Sequence, residues 1–144
     1  QGKLKESYCT FIQESYKSPV KINIHVKNLS KGKHGIHVHE KGNLLKNDCS
    51  KCAGHWNPHN KNHGGLIDVN SHAGDLGNII ADKNGLVNTH ISTNKLTLYG
   101  KYSILGRSII IHKDEDDLGR GDYDDSLITG HAGERLDCAI IGYA

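Results

Sequence analysis

The 144-residue chain predicts an all-β fold, a β-sandwich or flattened barrel, on three observations. Glycine is abundant at 17 residues, as a chain with many tight turns requires. Short β-branched runs alternate with polar residues, and no stretch carries the period of an amphipathic helix. These runs recur at close intervals, about eight of them, as in sandwiches and barrels. The length predicts one domain over residues 1–144.

Residues 8–13 are the first candidate strand. In 20–28, VKINIHVKN, the residues Val20, Ile22, Ile24 and Val26 oppose Lys21, Asn23, His25 and Lys27. That is a half-buried antiparallel strand. Residues 35–40 come next, followed by 76–82 and 86–91. Asp82-Lys83-Asn84-Gly85 joins the last two and is a hairpin signal. Residues 95–100, 107–112 and 138–143 complete the set. Two long connections, 41–75 and 113–137, contain no long apolar run. Loops of that length in a compact domain are functional or disordered. The first concentrates His55, His59, His63 and His72, with Asp75 behind them, and disordered loops do not gather histidine in this way. The second is rich in acid and glycine.

The segment GIHVHEKG, residues 35–42, carries the chemistry. Side chains two apart on a strand share a face. His37 and His39 therefore project together, opposite Ile36 and Val38. Two imidazoles pack poorly but begin a metal site well. The candidate ligands are His37, His39, His55, His63, His72, Asp75 and His112. Imidazole suits copper and zinc, and a carboxylate still suits zinc. Seven ligands exceed one tetrahedral site, and two four-coordinate sites need eight. One imidazole using both ring nitrogens closes the gap. His34 reads instead as a buried, hydrogen-bonded residue, and His59, His90 and His131 as surface residues.

The totals restrict the alternatives. A net charge of +2 announces no strong electrostatic partner, and basic residues form no nucleic-acid footprint. No apolar run approaches a membrane span. No signal peptide is visible; starting at Gln1 without any Met, the chain reads as processed or trimmed. The expected location is the cytoplasm, with a removed leader left open. The four cysteines, Cys9, Cys49, Cys52 and Cys138, allow three fully paired connectivities and several partial ones. Cys49 and Cys52 form a CxxC, which alone could mean zinc or redox chemistry.

HGIHVHEKG, HWNPHNKNHGG, HAGDLGNI, GRSIIIHKDEDDLGRG and GHAGERLDCAIIGYA, in this order, resemble the copper/zinc superoxide dismutases over roughly residues 20–144. The resemblance implies an eight-stranded Greek-key β-sandwich and disproportionation of superoxide to oxygen and hydrogen peroxide. It implies one copper and one zinc per chain. His37, His39, His55 and His112 resemble the copper ligands. His55, His63, His72 and Asp75 resemble the zinc ligands, with His55 as the bridge. Asp116 resembles a carboxylate linking His37 and His63, and Arg135 an arginine beside the copper that receives the anion. Cys49 and Cys138 match the family's disulfide, leaving Cys9 and Cys52 as free thiols. A homodimer and a copper-delivery protein are the implied partners. The chain departs from the family in a first strand that is short or altered, in Lys41 at a dimer-contact position, in Cys52, and in Ile128 where a guiding lysine is common. The alternative is a copper/zinc-binding or copper-carrying domain on the same fold, because fold does not fix function. Arg135 and the full set of four copper ligands favour the enzyme.

Overall fold

A computed structural model describes residues 4–144. Its strands, in chain order, are β1 (Tyr8–Ile12), β2 (Val20–Val26), β3 (Gly32–His39), β4 (Asp75–Ala81), β5 (Val87–Thr93), β6 (Ser108–His112) and β7 (Arg135–Ile140). They form two sheets, ordered β1-β2-β5 and β4-β3-β6-β7. Every pairing is antiparallel. The fold is thus the all-β sandwich the alternation predicts. β2 shows why: Val20, Ile22, Ile24 and Val26 are all buried. They meet Ile36, Val38, Leu76, Ile79, Ile109 and Ile111 of the other sheet in one core.

Three local expectations change, and seven strands stand among the described residues where about eight were expected. Residues 95–100 make no strand among the described residues; Thr97 has only an isolated bridge to Ser103. The Gln13 side chain takes the Leu98 N–H at 2.7 Å, so a side chain satisfies what a strand partner would have. The Asp82–Gly85 turn does form, with Gly85 N–H donating to the Asp82 carbonyl and Gly85 at φ 74°. Its flanks, however, enter different sheets, β4 pairing with β3 and β5 with β2. Turn chemistry dictates a reversal, not which sheet receives the strand. One short helical turn, α1 (Ser126–Thr129), lies in the second long connection, where the sequence carries no helical period.

The two long connections fold back over the outer face of the four-stranded sheet. Over the two central strands, β3 and β6, that face is therefore buried as well. β3 reads buried from His34 to His39 without a break. β6 is buried at all five positions.

Candidate metal centre

The pleat of β3 sends Ile36 and Val38 into the core and His37 and His39 to the outer face, where both are fully buried. The first long connection is laced to that strand by its backbone. Val38 N–H donates to the Gly74 carbonyl at 2.9 Å, and Trp56 N–H donates to the Val38 carbonyl at 2.8 Å. These bonds place His55 and Asp75 beside β3. Gly74 permits the approach, because a Cβ there would collide with the Val38 carbonyl oxygen. Both β-bulges of this sheet adjoin candidate ligands, one between Gly35 and His37 and one between Ile111 and His112. Bulges re-aim side chains beside functional sites.

Two clusters result, and His55 belongs to both. His37, His39, His55 and His112 each offer a ligand atom, all within 4.8 Å of one another. His55, His63, His72 and Asp75 converge on Asp75 Oδ1. His55 Nδ1 stands 2.9 Å from it, His63 Nδ1 3.0 Å and His72 Nδ1 3.2 Å. The two Nδ1 atoms of His55 and His72 are 3.2 Å apart. A tetrahedral ion at ordinary zinc bond lengths wants its donors about 3.3 Å apart. His37 also lies within reach of His55, His63 and Asp75. Its Nε2, though, is committed to Asp116 at 2.6 Å.

Each imidazole spends one nitrogen on a protein acceptor. His39 Nδ1 donates to the Ala53 carbonyl at 2.9 Å and His112 Nδ1 to the Gly133 carbonyl at 3.1 Å. In five of the six the other nitrogen is left with nothing. His37 Nδ1, His39 Nε2, His55 Nε2, His63 Nδ1 and His112 Nε2 are all buried without a hydrogen-bond partner. The His63 Nδ1 contact with Asp75 is close but not aligned as a hydrogen bond. Unpartnered buried polar atoms are rare and costly. Four of them belong to the first cluster and His63 Nδ1 to the second, a set that fits two ions.

The electrostatics agree with neutral rings. Burial, with His55 beside them, drives His37 well below the ordinary histidine value and His39 to about 2. Burial lowers His112 to about 4. Burial also lowers His55, against the pull of Asp75. His63 is the exception. Burial lowers it, but Asp116 and Asp75 outweigh burial and hold it up to about 9. Asp75 is held far below the usual carboxylate range; burial opposes this and the three histidines overcome it.

Asp116 joins the two clusters from behind. Its Oδ2 accepts from His37 Nε2 at 2.6 Å and its Oδ1 from His63 Nε2 at 2.7 Å. Asn78 fixes it in turn, taking the Asp116 N–H at 2.7 Å and donating to the Asp116 carbonyl at 2.9 Å. Gly130, at φ 71°, leaves the room for this bridge, since a Cβ would strike Asp116 Oδ1 and His63 Nε2. The sequence reading missed Asn78. A polar residue inside the apolar strand 75–81 was the available signal. It also missed Lys95, which no local pattern marks. The Lys95 ammonium donates to Ser71 Oγ at 2.6 Å and to the Gly65 carbonyl at 3.3 Å. It ties the segment before His72 to the segment after His63.

An open cleft of 380 Å³ leads to His39, His55 and His112, with Arg135 and Ile128 at its sides. Arg135 Nη1 donates to the Cys49 carbonyl at 2.8 Å and Nη2 to the Ala53 carbonyl at 2.7 Å. Arg120, further along the second long connection, binds Asp68 through Nη2 at 2.9 and 3.0 Å. Cys49 and Cys138 are disulfide-bonded, and Cys9 and Cys52 are free. His34 is buried and bonds the His112 carbonyl at 2.9 Å, while His59, His90 and His131 are exposed.

The chain belongs to the copper/zinc superoxide dismutase family, whose model matches residues 6–141. Among curated proteins it is 50% identical, over 131 residues, to "Superoxide dismutase (Cu-Zn) 5" of Dictyostelium discoideum. That alignment covers 91% of this chain and 86% of the relative.

Proposed function

We propose that the protein is a copper/zinc superoxide dismutase, an oxidoreductase that converts superoxide to oxygen and hydrogen peroxide. The observation that carries this reading is the set of five unpartnered buried imidazole nitrogens, four in the cluster of His37, His39, His55 and His112 and one on His63 in a second cluster that His55 joins through Nδ1. His37, His39, His55 and His112 hold copper. His55, His63, His72 and Asp75 hold zinc. Copper, when bound, supplies one-electron redox chemistry, and zinc supplies charge without redox activity.

The chain's own residues do the rest. Arg135 receives the anion at the mouth of the cleft, with a fixed charge and a guanidinium held by two carbonyls. His55 is the proton carrier. Its Nε2 has no protein partner while Asp75 anchors its Nδ1, so Nε2 can take a proton and deliver it to peroxide. Asp116 holds His37 and His63 in the tautomers that leave their Nδ1 atoms free.

The test is metal analysis together with a superoxide-disproportionation assay on one reconstituted sample. One copper, one zinc and turnover are expected. A single metal per chain sinks the shared-His55 arrangement. Both metals without turnover select the copper-carrying alternative. Family membership supports two partner proposals, a homodimer and a copper-delivery protein; sedimentation checks the first. The two unpaired cysteines support a cytoplasmic location.

A further inference from the structure

Cys52 plays no part in the metal centre. It is completely buried and free, and its thiol approaches only the Asn43 carbonyl, at 3.5 Å. It closes the single 3-10 turn that Cys49 opens. At three residues per turn, residues i and i+3 lie one above the other, so both side chains leave the turn on one side. Cys49 is already bonded to Cys138, with Cα atoms 5.8 Å apart. A free thiol therefore shares one turn of the chain with a sulfur of an existing disulfide. Arg135 clamps the turn from one side, donating to the carbonyl of Cys49 at its start and of Ala53 just past its end. The disulfide opens to a cleft of 530 Å³, lined by Cys49, Cys138, Asp48, Ser50, Glu134 and Arg135. That is room for a small thiol.

We propose that Cys49, Cys52 and Cys138 form a thiol–disulfide exchange site in which Cys52 takes Cys49 from Cys138. The Cys52 thiol gives up its proton and the thiolate attacks Cys49 Sγ. The Cys49–Cys138 bond breaks, its electron pair leaves on Cys138 Sγ, and that sulfur takes up a proton. Nothing is oxidised or reduced overall. A small thiol entering the cleft opens a second route. Its thiolate attacks Cys49 and frees Cys138; Cys52 then displaces it from the mixed disulfide. The small thiol is regenerated, so a trace suffices. Exchange replaces a bridge spanning 89 residues by one within a single turn and unties β7 from the first long connection. The Ala53 carbonyl, which accepts from both Arg135 and His39, lies one residue beyond that turn. The freed turn therefore reaches the anion-binding arginine and a candidate copper ligand. Only this last consequence rests on the proposed function; the exchange stands independently of it.

The experiment uses the full-length, metal-loaded protein with sub-stoichiometric reduced glutathione, quenched with iodoacetamide and mapped by mass spectrometry without reduction. Wild type is expected to accumulate a Cys49–Cys52 bridge with Cys138 alkylated. Cys52→Ser is expected to stall as glutathione bound at Cys49, and Cys9→Ser to behave as wild type. The proposal is overturned if Cys138 is alkylated with no Cys49–Cys52 bridge, if mixed disulfide persists equally in wild type and Cys52→Ser, or if wild type does not react. If Cys52→Ser does not fold, the wild-type map decides alone, because it reads the bridge directly. The map needs no activity, so its failure is distinct from a failure of the dismutase reading.

Discussion

Asp116→Asn separates the two clusters by a single atom. The side chain keeps its shape and its place, since Asn78 holds the backbone at residue 116 from both sides. The carboxylate now accepts at two oxygens. Oδ1 takes His63 Nε2 at 2.7 Å and the Leu118 N–H at 2.8 Å. Oδ2 takes His37 Nε2 at 2.6 Å. An amide has one oxygen, and it belongs where two donors already point, at the Oδ1 position. The NH2 group then faces His37 Nε2, donor against donor. His63 keeps a neutral hydrogen bond in place of a charged one, a loss of about 1 kcal/mol, or roughly fivefold. His37 either keeps its Nε2 proton and loses this hydrogen bond, or moves the proton to Nδ1, the nitrogen it offers to copper, and accepts from the amide in the wrong tautomer for a ligand. Either way the loss is about 3 kcal/mol and roughly 100-fold, at the upper end for a group behind a metal ligand. Competition titrations with chelators read each metal separately. Copper affinity is expected to fall about 100-fold and zinc affinity by tenfold or less. Equal losses, or a larger loss of zinc, refute the reasoning.

The other predictions follow from the same contacts. In the metal-free protein, His112 and His39 sit at about 4 and about 2, below an ordinary 6.5, so they contribute stability above pH 6.5 that is lost as pH falls through their folded values. His63, held up to about 9, contributes stability below pH 6.5 that is lost as pH rises towards 9. Urea midpoints against pH should therefore peak near 6.5, with about 3 kcal/mol lost by pH 4 from His112 alone; a flat profile contradicts the assignment. Arg135→Ala should lower the dismutation rate at least tenfold. Ile128→Lys, which adds a cation beside the cleft, should raise it at low salt and lose the gain near 0.1 M, where exposed charges are screened beyond about 10 Å. The measurement is rate against ionic strength, and no effect of the lysine at low salt would count against close-range steering. Lys95→Met should speed zinc loss to a chelator several-fold while leaving copper release unchanged, because it unties Ser71 from Gly65; equal loss of both metals would mean a general loosening.

Much of the site was legible in the chain because strands impose a strict period. His37 and His39 share a face with no choice in the matter, and Ile36 and Val38 take the core. The histidines of the first long connection were legible as a group by their density alone. Their sharing was not. That His55 has one nitrogen at each cluster depends on Gly74 and Trp56 being hydrogen-bonded to Val38, a contact between residues far apart in sequence. The same is true of Lys95 and Asn78, whose partners lie 24 to 38 residues away. The failed strand at 95–100 and the Asp82–Gly85 turn teach a related lesson. Local pattern specifies which backbone groups are available and where the chain reverses. Tertiary packing alone decides which partner satisfies them: the Gln13 side chain for Leu98, and separate sheets for the two flanks of the turn. The alternation of apolar and polar residues determined that this chain buries one face of each sheet. Only the folded loops determined that the second face is buried too over β3 and β6, and burial is what turns a row of histidines into a site with five unsatisfied nitrogens.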